Sequence, residues 1–180
     1  MRSTDSAPRD NVDAAWPLAY LLTWRTYGTW LPGDARGSIH RRANHFGDRT
    51  ASAHPGREKY ARQELKHASV LLTEHQRLVV EGANQETAEH AGWTVIGQSA
   101  RTNHVHVVIS TLCEPERAMN SLKSWATRRL REAGLLDGET KPWERHGSTR
   151  YLWTEHDVDR AVRYVLEAQD GERFEMGNEA

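Results

Sequence analysis

The sequence predicts an α+β domain: a mainly antiparallel sheet with helices on one face and one further helix at the C-terminal end. Three observations predict it. Short runs of alternating or β-branched residues are separated by two long amphipathic segments. Two of the strand-like runs lie only a few residues apart, as in an antiparallel pair. The order strand, helix, strand, strand, helix, strand, helix is the split βαβ arrangement of ferredoxin-like domains with one helix added.

Taken in order, residues 1–15 ("MRSTDSAPRDNVDAA") contain no apolar run and read as a disordered lead rather than a signal peptide or anchor. "AYLLTWRTYGTW" is aromatic and β-branched with Gly28 near its end, a strand entering a turn. Residues 32–70 form a polar insertion rich in Gly, Pro, Arg and His, of the length usually reserved for a functional or mobile loop. Trp30-Leu31-Pro32-Gly33-Asp34 opens it as a turn signature. His40, His45, His54 and His67 follow without tight ligand spacing and receive no metal role. "LTEHQRLVVEGANQETAEHAG" begins with Thr73 and Gln76 in capping-box spacing, carries Leu78, Val79 and Ala83, and ends at Gly92.

"WTVIGQSA" and "HVHVVIS" are the paired strands. "EPERAMNSLKSWATRRLREAG" is a helix with Met119, Leu122, Trp125, Ala126 and Leu130 on one stripe and Gly134 as its stop. "GSTRYLW" is a short strand. "TEHDVDRAVRYVLEAQ" is a helix capped by Thr154 and stopped by Asp170-Gly171. One domain over residues 16–172 and a tail over 173–180 account for the chain of 180 residues.

Composition narrows the setting. A mean hydropathy of −0.79 and 37% hydrophobic residues predict one modest core beneath long solvated loops. Cys113 is the only cysteine, so no internal disulfide can form and a reducing compartment is expected. No run approaches the roughly 18 apolar residues of a membrane span. The expectation is a soluble protein of the cytoplasm. Net charge is −1, which does not announce a nucleic-acid binder. Yet Arg117–Arg150 holds eight basic residues against four acidic ones, a local net of +4. This is either a solvated helix with its loop or a patch for phosphates.

The histidines of "TNHVHVVIS" carry the chemistry. In a strand, alternate side chains share a face, so His104 and His106 project together, with Cα atoms about 6.6 Å apart. Val105, Val107 and Ile109 point the other way, toward the helices. Two imidazoles so placed can close on one divalent cation if a third ligand comes from elsewhere; a half-exposed strand with polar residues is the plainer alternative. H-x-H also opens some barrel metallohydrolases, but a (β/α)₈ barrel needs roughly 200 residues or more.

"HVHVVIS" resembles the histidine–hydrophobic–histidine (HUH) strand of single-stranded DNA nucleases and transposases. From about Tyr20 to Gln169 the chain resembles the single-tyrosine HUH transposases, in particular those of the REP-associated tyrosine transposase type. "LTWRTYGTWLPGD", "RTNHVHVVIS", "LKSWATRRLREAG", "STRYLW" and "AVRYVLEAQ" carry the likeness together. It implies a ferredoxin-like catalytic domain, single-stranded and often hairpin DNA as substrate, a divalent metal (Mg²⁺ or Mn²⁺) and commonly a homodimer. It also requires a tyrosine on a later helix.

Of Tyr20, Tyr27, Tyr60, Tyr151 and Tyr164, only Tyr164 falls on a predicted helix. At about 100° per residue, Val158, Ala161, Val162, Val165 and Leu166 form its apolar stripe. Tyr164 falls roughly 140° from the centre of that stripe, with Asp157, Arg160 and Glu167.

By resemblance, His104 and His106 are metal ligands and Tyr164 the nucleophile. The family's Asn or Gln four residues after the tyrosine is replaced here by Ala168. Gln169 is then the expected third ligand, with Glu167 as its alternative. Arg101, Lys123, Arg128 and Arg150 are expected DNA contacts, and Trp24, Trp30 or Trp125 could stack on bases, Trp125 being the one that the stripe also places in the core. The activity implied is cleavage of single-stranded DNA through a 5′-phosphotyrosine and transfer of the strand. A domesticated, non-catalytic nucleic-acid binder and a hydrolytic endonuclease are the alternatives.

Overall fold

A computed structural model describes residues 16–34 and 53–167. Its elements are β1 (Ala19–Thr26), α1 (Pro55–Gln63), α2 (Glu74–Ala91), β2 (Thr94–Ala100), β3 (His104–Ser110), α3 (Pro115–Glu132), β4 (Trp143–Leu152) and α4 (Glu155–Glu167). The strands form one sheet in the order β2-β3-β1-β4, every neighbouring pair antiparallel. With α2 and α3 as the crossovers, this is the split βαβ layout expected from the sequence.

The alternation of β1 and β3 divides the molecule into two layers. Tyr20, Leu22 and Trp24 share one face with Val105, Val107 and Ile109. Val80 and Ala83 of α2 and Ala118, Leu122, Ala126 and Leu130 of α3 close over them. Each valine, leucine or isoleucine among them, fully buried, contributes about 1.5–3 kcal/mol. On the other face a smaller cluster joins Ala19, Leu21, Val108 and Leu152 to Ala161 and Val165 of α4. The sheet therefore has helices on both faces, two on one and one on the other.

Local chemistry explains the helix boundaries. Thr73 and Gln76 exchange side-chain-to-backbone bonds in a full capping box at the start of α2. Thr154 and Asp157 do the same for α4: the Thr154 Oγ1 accepts from the Asp157 N–H, and the Asp157 carboxylate accepts from the Thr154 N–H. β4 is longer than the short strand predicted, and Gly147 lies within it. A Cβ there would fall 2.5 Å from both Met119 Sδ and the Thr23 carbonyl, so no larger residue fits against α3.

Three expectations are corrected. The insertion is not all loop: α1 lies within it, with His54 Nδ1 accepting from the Arg57 N–H as N-cap and Pro55 in its first turn. It buries no residue, so no apolar periodicity marks it. On α2, Leu78 is 62% exposed, and the buried face is Val80, Ala83, Asn84, Thr87 and Ala88. Trp125 leaves the core for the rim of α3, where the guanidinium groups of Arg128 and Arg129 lie 5.5 and 5.4 Å from its ring. The disordered lead, the tail and the Asp170-Gly171 stop lie outside the described residues. Among the described residues no helix is long and apolar enough to cross a membrane.

Candidate active site

His104 and His106 stand on the α4 side of the sheet, opposite Val105 and Val107, as strand alternation requires. Their ring centres are 4.7 Å apart at 76°. The antiparallel register sets Thr23 across from His106 and Arg25 across from His104. Each ring is held at Nδ1 by a polar neighbour. Asn103 Oδ1 lies 2.7 Å from His104 Nδ1, and an amide oxygen only accepts, so this nitrogen carries the proton. Thr23 Oγ1 lies 2.8 Å from His106 Nδ1. For His104 this leaves Nε2 to carry the lone pair, the arrangement that second neighbours of metal-binding histidines impose, while the Thr23 hydroxyl, able to donate or accept, holds the orientation of the His106 ring.

Burial holds the His106 imidazole neutral, its pKa lowered to about 3, and the positive ends of His104, Arg101 and Arg25 push it the same way. A neutral imidazole is the form that binds metal. A ring centre stands roughly 3.2 Å from an ion bound to its nitrogen, so rings 4.7 Å apart are close enough to share one. The donor chemistry fits a divalent cation.

Tyr164 is brought to this pair by α4. Its ring centre lies 5.4 Å from that of His106, at 72°. The residue is half-buried against the α4 cluster rather than turned to solvent. The apolar stripe read from the sequence places it too far round because the half-buried Val158 and Val162 and the 60% exposed Leu166 all draw the stripe's centre away from Tyr164. The fully buried residues are Ala161 and Val165, and Tyr164 is about 80° from their midpoint, on the flank that meets the histidines. α4 seats against Gly97 in β2, where a Cβ would stand in ordinary contact, 3.4 and 3.5 Å from the Val162 methyls, and a longer side chain would enter the space they occupy.

Gln169, the expected third ligand, lies outside the described residues. Glu167 is not gathered with the histidines: among the described residues no group of three His, Cys, Asp or Glu side chains could hold a metal. Glu167 ends α4 as an exposed side chain.

The expected DNA contacts divide by face. Arg101 follows β2, its N–H bonded to the His104 carbonyl, and its charge acts on His106. Arg150 pairs with Leu21 and so stands on the α4 face. The other two lie elsewhere. Lys123 is 7% exposed, and its ammonium donates to the carbonyls of Glu144 and Arg145, tying α3 to β4. Burial lowers its pKa, against the pull of Glu144. Arg128 sits on α3, in the layer across the sheet, ion-paired with Glu132 at 2.7 Å. Trp24 is fully buried and cannot stack on a base. Trp30 has a guanidinium, that of Arg25, 3.0 Å from its ring centre.

Thr23, Arg25 and Asn103 are site residues that sequence reasoning missed. Alternation in "LTWRT" places Thr23 and Arg25 on one face, but only the register with β3 shows that it is the histidine face.

No protein-family model matches the chain, and no curated protein matches it. Among solved structures, a candidate transposase from Deinococcus radiodurans R1 is similar over 88% of this chain and 95% of its own, at 13% identity and a TM-score of 0.47. The structure of a REP-associated tyrosine transposase bound to a REP hairpin is similar over 90% of this chain and 70% of that one, at 10% identity and a TM-score of 0.48.

Proposed function

We propose that this chain is a metal-dependent DNA strand transferase, a transposase that cleaves single-stranded or hairpin DNA through Tyr164. One observation carries the reading: the Tyr164 ring stands 5.4 Å from His106, whose partner His104 is 4.7 Å away, all within one chain. Packing alone gives no reason to set two imidazoles, each fixed at Nδ1, beside a helix-borne phenol.

His104 and His106, with Gln169 as third ligand, would hold Mg²⁺ or Mn²⁺. Bound there, the ion would supply charge to the scissile phosphodiester and hold it for in-line displacement. The chain's own residues do the rest. Asn103 holds His104 in the metal-binding tautomer, and Thr23 holds the His106 ring in place. The Tyr164 phenol loses its proton and its oxygen forms a bond to phosphorus as the bond to the 3′-oxygen breaks. The products are a 5′-phosphotyrosine link and a strand ending in a 3′-hydroxyl once that oxygen is protonated. Attack by another 3′-hydroxyl reverses the step and rejoins strands without ATP. Arg101 and Arg150 lie on the same face to receive backbone phosphates. In this reading a second copy of the chain completes a homodimer, and the work is done on cytoplasmic, nucleoid-associated DNA.

The test is incubation of wild type and Tyr164→Phe with 5′- and 3′-labelled hairpin DNAs and Mg²⁺ or Mn²⁺, followed by denaturing gels. Wild type should form a covalent adduct and Tyr164→Phe none. Absence of any adduct with wild type, across several hairpins and both metals, overturns the reading. Cleavage retained by Tyr164→Phe points instead to hydrolysis.

A further inference from the structure

The strand that faces the histidines carries a cation with no part in the scheme above. Arg25 pairs with His104 across β1 and β3, on the histidine face. Its guanidinium carbon lies 3.0 Å from the centre of the Trp30 ring, so the planar group is stacked on indole rather than swinging in solvent. Trp30 reaches that place because the chain reverses after β1 through Gly28, at φ +72°.

The turn is fastened to the site itself. The Asn103 carbonyl accepts from the Thr26 N–H at 3.0 Å and from the Thr26 hydroxyl at 3.1 Å, and the Thr29 hydroxyl donates to the Thr26 carbonyl at 2.9 Å. The Asn103 side chain, meanwhile, orients His104. One residue thus fixes both the imidazole and the turn bearing the indole that seats Arg25. At that position the charge of Arg25 also acts on His106.

We propose that Arg25, seated on Trp30, is the phosphate clamp of this centre, donating to a non-bridging oxygen of the scissile phosphodiester. This rests on the proposed function. A guanidinium stacked by one face keeps its N–H edge in the ring plane, where it matches the oxygens of a phosphate. Rigid seating matters because a donor already in place costs no reordering as charge builds on those oxygens. Arg25 is then a catalytic residue and Trp30 a positioning residue.

The test compares wild type, Arg25→Ala, Arg25→Lys and Trp30→Leu in single-turnover adduct formation on hairpin DNA with Mn²⁺. Arg25→Ala should be slowed about 100-fold or more, the scale of losing one preorganised donor. Added methylguanidine should restore at least about fivefold to Arg25→Ala alone, a recovery that repair of general folding would not give. Arg25→Lys, with charge but no planar fork, should stay below about a tenth of wild type, and Trp30→Leu should be slowed about tenfold.

An active wild type with Arg25→Ala within about threefold of it, or slowed with no rescue, overturns the clamp. If wild type forms no adduct, the strand-transfer reading falls, and affinity for single-stranded DNA decides the clamp. A loss of about tenfold in Arg25→Ala that disappears with an uncharged methylphosphonate strand upholds phosphate binding. An unchanged affinity, or equal loss on both strands, overturns it.

Discussion

The rings of His106 and Tyr164 meet edge to face, 5.4 Å apart at 72°, one from the middle of the sheet and the other from the last described turns of α4. The contact belongs to the ring rather than to the hydroxyl. Tyr164→Phe should therefore keep α4 seated and change stability by less than about 1.5 kcal/mol, the net worth of one hydrogen bond. Adduct formation should vanish. Urea unfolding beside the gel assay separates the two, and a variant that unfolds easily would show the phenol to be structural.

The second prediction concerns the histidine supports. Asn103→Ala removes the acceptor for His104 Nδ1 but keeps the backbone carbonyl that anchors the turn after β1. Thr23→Val removes the partner of His106 at nearly constant shape. Each should weaken Mn²⁺ binding about 10- to 100-fold, the usual effect of losing a second neighbour of a metal ligand. Calorimetric titration with Mn²⁺ measures it. Affinity equal to wild type in both variants would show that the imidazoles need no such support.

Much of this arrangement was legible in local patterns. Alternation in "HVHVVIS" separates the histidines from the valines, and the Thr73–Gln76 and Thr154 caps follow from short-range hydrogen bonding. What escaped depends on distant partners. Lys123 reads as a surface cation until the β4 carbonyls that bind its ammonium are placed. Arg25 reads as a strand-end charge until β1 pairs with β3. The direction of Tyr164 turns on Val158, Val162 and Leu166, half-buried or exposed side chains that no periodicity distinguishes from buried ones.

A third prediction tests the seat of α4. An alanine at position 97 places its Cβ in ordinary contact with the Val162 methyls, whereas valine or leucine puts further carbons into the space they occupy. Gly97→Ala should behave nearly as wild type. Gly97→Leu should lift α4 from the sheet, at about 1–3 kcal/mol for overpacking. It should slow adduct formation by more than tenfold, because the tyrosine moves with the helix. Equal rates for Gly97→Leu and wild type would mean that the α4 contact does not position the nucleophile.

The last prediction follows from the burial of His106. The unfolded imidazole takes up a proton near pH 6.5, the folded one only near pH 3. Between these values the unfolded chain binds more protons, so stability falls as pH falls. Above pH 6.5 both states are neutral and this group adds no slope. Within the window the slope approaches about 1.4 kcal/mol per pH unit, one proton's worth. His106→Asn removes that titration, so its stability should decline less steeply from pH 6.5 to 4 than that of wild type, although it starts lower. Carboxylates titrating in the same range are common to both proteins and cancel in the comparison. Urea unfolding of metal-free protein at pH 7, 6, 5 and 4 gives the two slopes. Parallel curves would mean that His106 is protonated as readily folded as unfolded, and so is not held as the neutral ligand required here.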